Sequence, residues 1–245
     1  MKDNYKVKCF STDKDKLDES RLPRACKNGI LPKKLEQFGG LVVGRTGSGK
    51  TNVMLHMLTD ERLLGGAFKK ENIFLYSALK PDPSISKNLQ IPKKNIITKW
   101  DEPEVKTHLD KLEKQTKKDF KSAPYTLLIF DDILSKKKFL KSPTMSNLAT
   151  CHRHWKCCYF ILTQYYKGIS PVVRTNCSYL IFFASSEIEN EKLYQEQCPS
   201  GCNKKKFMKL VNYATSEPYE FLSMNTRAES KKKMRKGFNE IIWID

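Results

Sequence analysis

The residues Gly44-Arg45-Thr46-Gly47-Ser48-Gly49-Lys50-Thr51 carry the densest chemistry in the chain. They fit G-x-x-x-x-G-K followed by Ser or Thr, the pattern of a phosphate-binding loop. Glycines at those positions let the backbone wrap a phosphate with its N–H groups pointing inward, and a helix starting behind the loop adds a partial positive charge. Lys50 is then placed to bridge the β- and γ-phosphates, and the Thr51 hydroxyl to complete a Mg²⁺ shell. Gly44, Arg45, Thr46, Gly47, Ser48, Gly49, Lys50 and Thr51 are the expected nucleotide-binding set, with ATP and Mg²⁺ as cofactors. A glycine-rich turn without ligand is the plainer alternative, and the flanking elements count against it.

Such a loop needs an acid at the end of a neighbouring strand to hold the metal. The run Leu127-Leu128-Ile129-Phe130-Asp131-Asp132 supplies two. Side chains alternate along a strand, so Asp131 is expected at the Mg²⁺ and Asp132 at the attacking water. Two acids that merely solvate a strand end are the alternative, weakened by the loop. A further strand ends in Leu162-Thr163-Gln164, which puts a neutral amide at the same crevice. Gln164 there either senses the γ-phosphate or caps the strand.

The elements that must position these groups are legible as apolar runs. Residues 38–44 read as a buried strand closed by glycine, and 50–64 as a helix with Val53, Met54, Met57, Leu58 and Leu64 at helical spacing. Residues 72–77, 125–130, 157–163 and 179–183 read as further strands, each nearly continuously apolar. Segments of helical character separate the later ones (142–154 and 170–177), and 104–120 reads as a polar, peripheral helix. This is the pattern of an α/β fold with a mainly parallel sheet flanked by helices. Beyond it, 187–197 and 204–213 look helical, and 219–224 and 241–244 look extended, with the basic run 231–236 between them. The expected organisation is a short basic N-terminal arm over 1–35, an ATPase core over 36–186, and a C-terminal extension over 187–245 packed on the core.

With 45 Lys and Arg against 27 Asp and Glu, the net charge is +18 over 245 residues. Lysines outnumber arginines 37 to 8, which suits diffuse neutralisation of a polyanion better than forked recognition of one group. Nucleic acid leads among such partners, and a bland solvated surface is the alternative. No apolar stretch near Met1 suggests a secretory signal, and no apolar run is long enough for a membrane span, so an intracellular, soluble protein is expected. Eight cysteines are too few for a disulfide framework of this size. Cys198 and Cys202 would make half of a zinc site at best.

The phosphate loop, the run Leu128-Ile129-Phe130-Asp131-Asp132 and the run Phe160-Ile161-Leu162-Thr163-Gln164 come in order. With Arg153-His154 before the last of these and Arg174-Thr175-Asn176 after it, they resemble the genome-packaging ATPases of poxviruses, giant viruses and virophages. These belong to the FtsK/HerA class of P-loop motors, and the similarity covers about 37–184. The resemblance implies a RecA-like core, a homo-oligomeric ring, and ATP hydrolysis that drives double-stranded DNA into a capsid, with a capsid or portal component as docking partner. A virion or a viral factory in the host cytoplasm follows as location. It also implies that Lys50 and Thr51 serve the loop, Asp131 the metal, Asp132 the water and Gln164 the sensor. Many cellular relatives have Glu at the second acidic position, and Asp132 is one methylene shorter. Arg153 and Arg174 match basic positions of that pattern, and one of them is expected to complete a neighbour's γ-phosphate site in trans.

Two other functions use the same loop. A small-molecule kinase needs an Arg-rich lid, which so few arginines disfavour. A non-translocating, ATP-dependent DNA-binding or remodelling protein shows no DNA-stimulated turnover. A motor carrying its own nuclease is disfavoured because too little chain follows the core.

Overall fold

The computed structural model describes residues 7–10, 29–31, 37–78 and 81–244. The arm expected over 1–35 lies outside these apart from 7–10 and 29–31. The strands are β1 (Val7–Phe10), β2 (Gly39–Val43), β3 (Ile73–Ser77), β4 (Ile96–Ile97), β5 (Thr126–Asp131), β6 (Cys157–Thr163), β7 (Tyr179–Phe183), β8 (Phe221–Asn225), β9 (Met234–Lys236) and β10 (Glu240–Ile244). The helices are α1 (Lys50–Thr59), α2 (Pro83–Asn88), α3 (Glu102–Lys118), α4 (Lys137–Leu140), α5 (Pro143–Cys151), α6 (Pro171–Asn176), α7 (Glu187–Gln197) and α8 (Lys204–Ala214).

Among the described residues all the strands join one 10-stranded sheet in the order β1-β10-β9-β8-β7-β2-β6-β5-β3-β4. From β7 through β4 every pairing is parallel. From β7 outward through β8, β9, β10 and β1 every pairing is antiparallel. The residues after 187 therefore extend the sheet of the core.

Alternation along the parallel strands divides the interior in two. Leu41, Val43, Leu128, Phe130, Tyr159 and Ile161 face one side, where Val105 and Leu109 of α3, Leu148 of α5, Leu193 of α7 and Phe207 of α8 cover them. Val42, Leu127, Ile129, Phe160 and Leu162 face the other, under Met54 and Leu58 of α1 and Ile85 of α2. A strand covered on both faces must be apolar at every position, which is why these runs do not alternate in polarity. Helix α3 is more than peripheral, since Val105, Leu109 and Leu112 are buried against the sheet. Among the described residues no helix is long and apolar enough to cross a membrane.

The basic run 231–236 is only partly a solvated surface. Its last residues form β9, where Met234 and Arg235 are buried.

Candidate active site

Because β2, β5 and β6 are parallel, their carboxyl ends share one edge of the sheet. The phosphate loop leaves β2 there. Its first amide, Gly44 N–H, donates to Thr163 O at 3.1 Å, tying the loop to the end of β6 beside Gln164. Gly44 has no room for a side chain, since a β-carbon would meet Ser48 Oγ and the Phe183 ring. Gly49 closes the loop with φ +97°, a left-handed conformation that L side chains resist.

Helix α1 then starts with no side-chain cap and no acid in its first turn. Five other helices are capped by the chain's own oxygens: Asp82 accepts from Ser84 N, Asp101 from Glu104 N, Ser142 from Met145 N, Ser170 from Val173 N and Asn203 from Lys206 N, while α7, which also lacks a side-chain cap, carries Glu187 and Glu189 in its first turn. The first amides of α1 are left to an anion, which the positive end of the helix favours.

Lys50 turns back over the loop and donates from Nζ to Gly44 O at 2.8 Å and Arg45 O at 2.9 Å. Burial lowers its pKa, and the charges of Asp132 and Asp131 oppose that shift. The two carboxylates thus act on the loop lysine across the intervening β6. Asp131 ends β5, and burial, then the charges of Asp132 and Asp82, push it up to about 6 against the pull of Lys50. A carboxyl crowded by other acids and short of cations is suited to a divalent ion. The buried Ser48 Oγ has no hydrogen-bond partner, a further group that a bound phosphate with its cation would satisfy. Asp132 adopts φ +49°, a left-handed backbone that Asp tolerates better than most residues. Strain of this kind gathers at sites that must aim a side chain. Gln164 is half-buried immediately after β6. The structure brings Gly44 through Thr51, Asp131, Asp132 and Gln164 to one edge.

The two arginines have different surroundings. Arg174, in α6, is 3% exposed. Its guanidinium forms a forked pair with Glu196, 2.7 Å from Nε and 2.5 Å from Nη2, donates from Nη1 to Ile169 O and lies over the Tyr166 ring. Every nitrogen of the guanidinium is thus engaged inside one chain, which counts against the expected reach into a neighbour and makes Arg174 a buttress for the loop after Gln164. Glu189 of α7 supports the same loop, accepting from Tyr166 N at 2.5 Å and Lys167 N at 3.2 Å. Arg153 is exposed and precedes the first residue of β6, at the opposite edge from the loop. It remains free to act on another copy.

Asp82 was not among the expected site residues. The Asp-Pro step that starts α2 is its signature, because Asp at a helix cap with Pro in the first turn is a start signal. Glu196, the carboxylate partner of Arg174, lies 22 residues away in sequence, and nothing local announces it. Among the described residues no group of three or more His, Cys, Asp and Glu side chains is arranged to hold a metal ion, and Cys198 Sγ instead donates to Cys202 O at 3.0 Å.

A family model described as Poxvirus A32 protein matches residues 33–222. Uncharacterized protein 075L of Invertebrate iridescent virus 6 is 25% identical over 158 residues, 62% of this chain and 56% of that protein. The match thus spans only about half the length of that relative. Among solved structures, the genome packaging NTPase B204 of Sulfolobus turreted icosahedral virus 2, in complex with AMPPCP, superposes with a TM-score of 0.56 at 16% identity, over 82% of this chain and 96% of that one. EssC (ATPases 2 and 3) from Geobacillus thermodenitrificans gives a TM-score of 0.54 at 14% identity, over 86% of this chain and 40% of that one. These likenesses show the fold, that of a P-loop NTPase.

Proposed function

Because this chain belongs to the Poxvirus A32 protein family, we propose that it is an ATP-hydrolysing motor that moves double-stranded viral DNA into a capsid. The observation that carries this reading is the convergence of an uncapped helix N-terminus, Lys50, Asp131, Asp132 and Gln164 on one sheet edge.

In this reading the loop amides and the first turn of α1 grip the β-phosphate, and Lys50 exchanges its two carbonyl partners for phosphate oxygens. Charge developing on the transferred phosphoryl group meets a preformed field, so little reorganisation is needed at the moment of reaction. Thr51 and Asp131 would hold a magnesium ion, which supplies charge neutralisation on the β- and γ-phosphates. Asp132 orients and polarises the attacking water, and Gln164 contacts the γ-phosphate and registers its loss. Movement of Gln164 is passed to the loop after β6, which Glu189 and the Arg174–Glu196 pair anchor to α6 and α7. The surplus of lysines neutralises DNA phosphates without base readout, giving affinity that falls with salt. Copies assemble as a ring, with Arg153 reaching the nucleotide of a neighbour, and the ring docks on a capsid or portal component in the virion or viral factory.

The test is ATP hydrolysis with and without double-stranded DNA, for the unaltered chain and Lys50→Ala. DNA stimulation that disappears in Lys50→Ala is expected. Hydrolysis indifferent to DNA would move the reading to an ATP-dependent DNA-binding protein that does not translocate. For Arg153, mixing Arg153→Ala with Lys50→Ala subunits should restore part of the activity, and absence of rescue would remove Arg153 from the trans role.

A further inference from the structure

The sheet order dictates which way a nucleotide lies. Asp131 on β5 and Gln164 after β6 are on one side of the loop strand β2. A γ-phosphate must point toward them, so the nucleoside end leaves on the other side, above β7 and β8. Strand β8 runs antiparallel to β7, with Phe221 opposite Phe183, so the segment leading into β8 arrives at the phosphate-loop edge on that side.

The segment is a tight turn. Glu220 N–H donates to Glu217 O at 3.1 Å, with Pro218 and Tyr219 between them. Tyr219 has φ +68°, the value that the third position of a type II turn demands and that Gly or Asn normally fills. The turn is locked in place around this residue. The Glu220 carboxylate accepts from Ser216 Oγ at 2.9 Å and Glu217 N at 3.0 Å, and pairs with Lys236 at 2.6 Å. A bulky aromatic held left-handed is an outlier that the fold sustains at a cost.

What the turn achieves is placement. The Tyr219 ring edge, Cδ1, lies 3.5 Å from the point where a β-carbon on Gly49 would stand, with Phe183 behind it. Tyr219 is nonetheless 71% exposed. A large apolar face is thus held in water, beside the loop, on the nucleoside side.

We propose that Tyr219 is the nucleobase platform of this site: its ring stacks on the base of the nucleotide whose phosphates occupy the loop. The proposal rests on the nucleotide-binding reading above and adds the residue that holds the other end of the ligand. Stacking reads the face of a base and not its edge, so Tyr219 supplies affinity with little selectivity among purines.

The test uses Tyr219→Gly, because glycine adopts φ +68° freely and the turn should form without strain. Binding of ATP and of inorganic tripolyphosphate is measured by calorimetry on the full chain, with magnesium, for the unaltered protein, Tyr219→Gly and Tyr219→Phe. Tripolyphosphate engages the loop but has no base. The expected result is about a tenfold loss of ATP affinity in Tyr219→Gly, unchanged tripolyphosphate affinity, and Tyr219→Phe close to the unaltered protein. Unchanged ATP affinity in Tyr219→Gly, or equal weakening of both ligands, would overturn the proposal while leaving the loop reading intact. If the unaltered protein bound neither ligand, the loop reading would fall and take the platform with it.

Discussion

The phosphate-loop crevice and the buttress beneath the loop after Gln164 are both built from opposite charges, yet they handle them differently. In the buttress, Arg174 meets Glu196 in a forked pair, with a carbonyl and an aromatic ring using the rest of the guanidinium. In the crevice, Asp131 is raised to about 6 by burial and neighbouring acids, Ser48 Oγ is buried without a partner, and α1 begins without a cap. One region is electrically finished and the other awaits a ligand. The lesson concerns basic residues in particular: Lys50 and Arg174 are both partly or wholly buried cations, and only the surroundings tell which one is there for chemistry.

The comparison breaks first at Lys50. Lys50→Ala should lower ATP turnover on the order of 1,000-fold, since it deletes a cation aimed at the reacting phosphates, while the urea unfolding midpoint moves little. Arg174→Ala should do the reverse. It leaves Glu196, 12% exposed, with Lys192 at 3.1 Å as its remaining cationic partner, and losing the forked, largely buried charge-assisted bonds should cost about 1–3 kcal/mol of stability. A large loss of turnover with an unmoved unfolding transition would return Arg174 to the catalytic set.

A third treatment of charge sharpens the contrast. His108 bonds Tyr76 Oη through Nδ1 at 2.6 Å, and His152 Nδ1 lies 3.0 Å from Ala149 O. Burial drives both rings down to about 4 from the ordinary 6.5. The unfolded chain takes up protons near pH 6.5 and the folded chain does not, so stability is full above that pH and declines as pH falls toward 4. Thermal melts between pH 7 and pH 4.5 should show this decline, and His108→Gln should reduce it by the His108 share, leaving that of His152. The smallest effect is expected at a finished helix end: Asp101→Ala removes the cap of α3 and should cost about 1 kcal/mol, with ATP turnover of the folded protein unchanged.

Most of this arrangement can be read along the chain, for a physical reason. Strands buried on both faces must be continuously apolar, so β2, β3, β5, β6 and β7 stand out, and the loop glycines and the Asp131–Asp132 pair follow directly from them. What escapes is whatever depends on distant partners or on very short elements. Strand β9 spans Met234–Lys236, too short for a period and hidden in a lysine run, with Arg235 buried only because its neighbours in the sheet cover it. Helix α2 is 6 residues long and follows a proline-rich stretch that reads as irregular. Tyr219 looks like the start of a strand by composition, and only the turn closed by Glu217 and Glu220 reveals that it faces solvent.

The two ends of the sheet add one more consequence. On one side the last strand, β4, is 2 residues long and is preceded by the exposed Lys93 and Lys94. On the other it is β1, with 4 residues. Short edges flanked by charge offer a poor template for a further strand. If copies assemble as the proposed ring requires, such edges disfavour open-ended strand pairing between them and leave helices and loops as the contact surfaces, which can close on themselves.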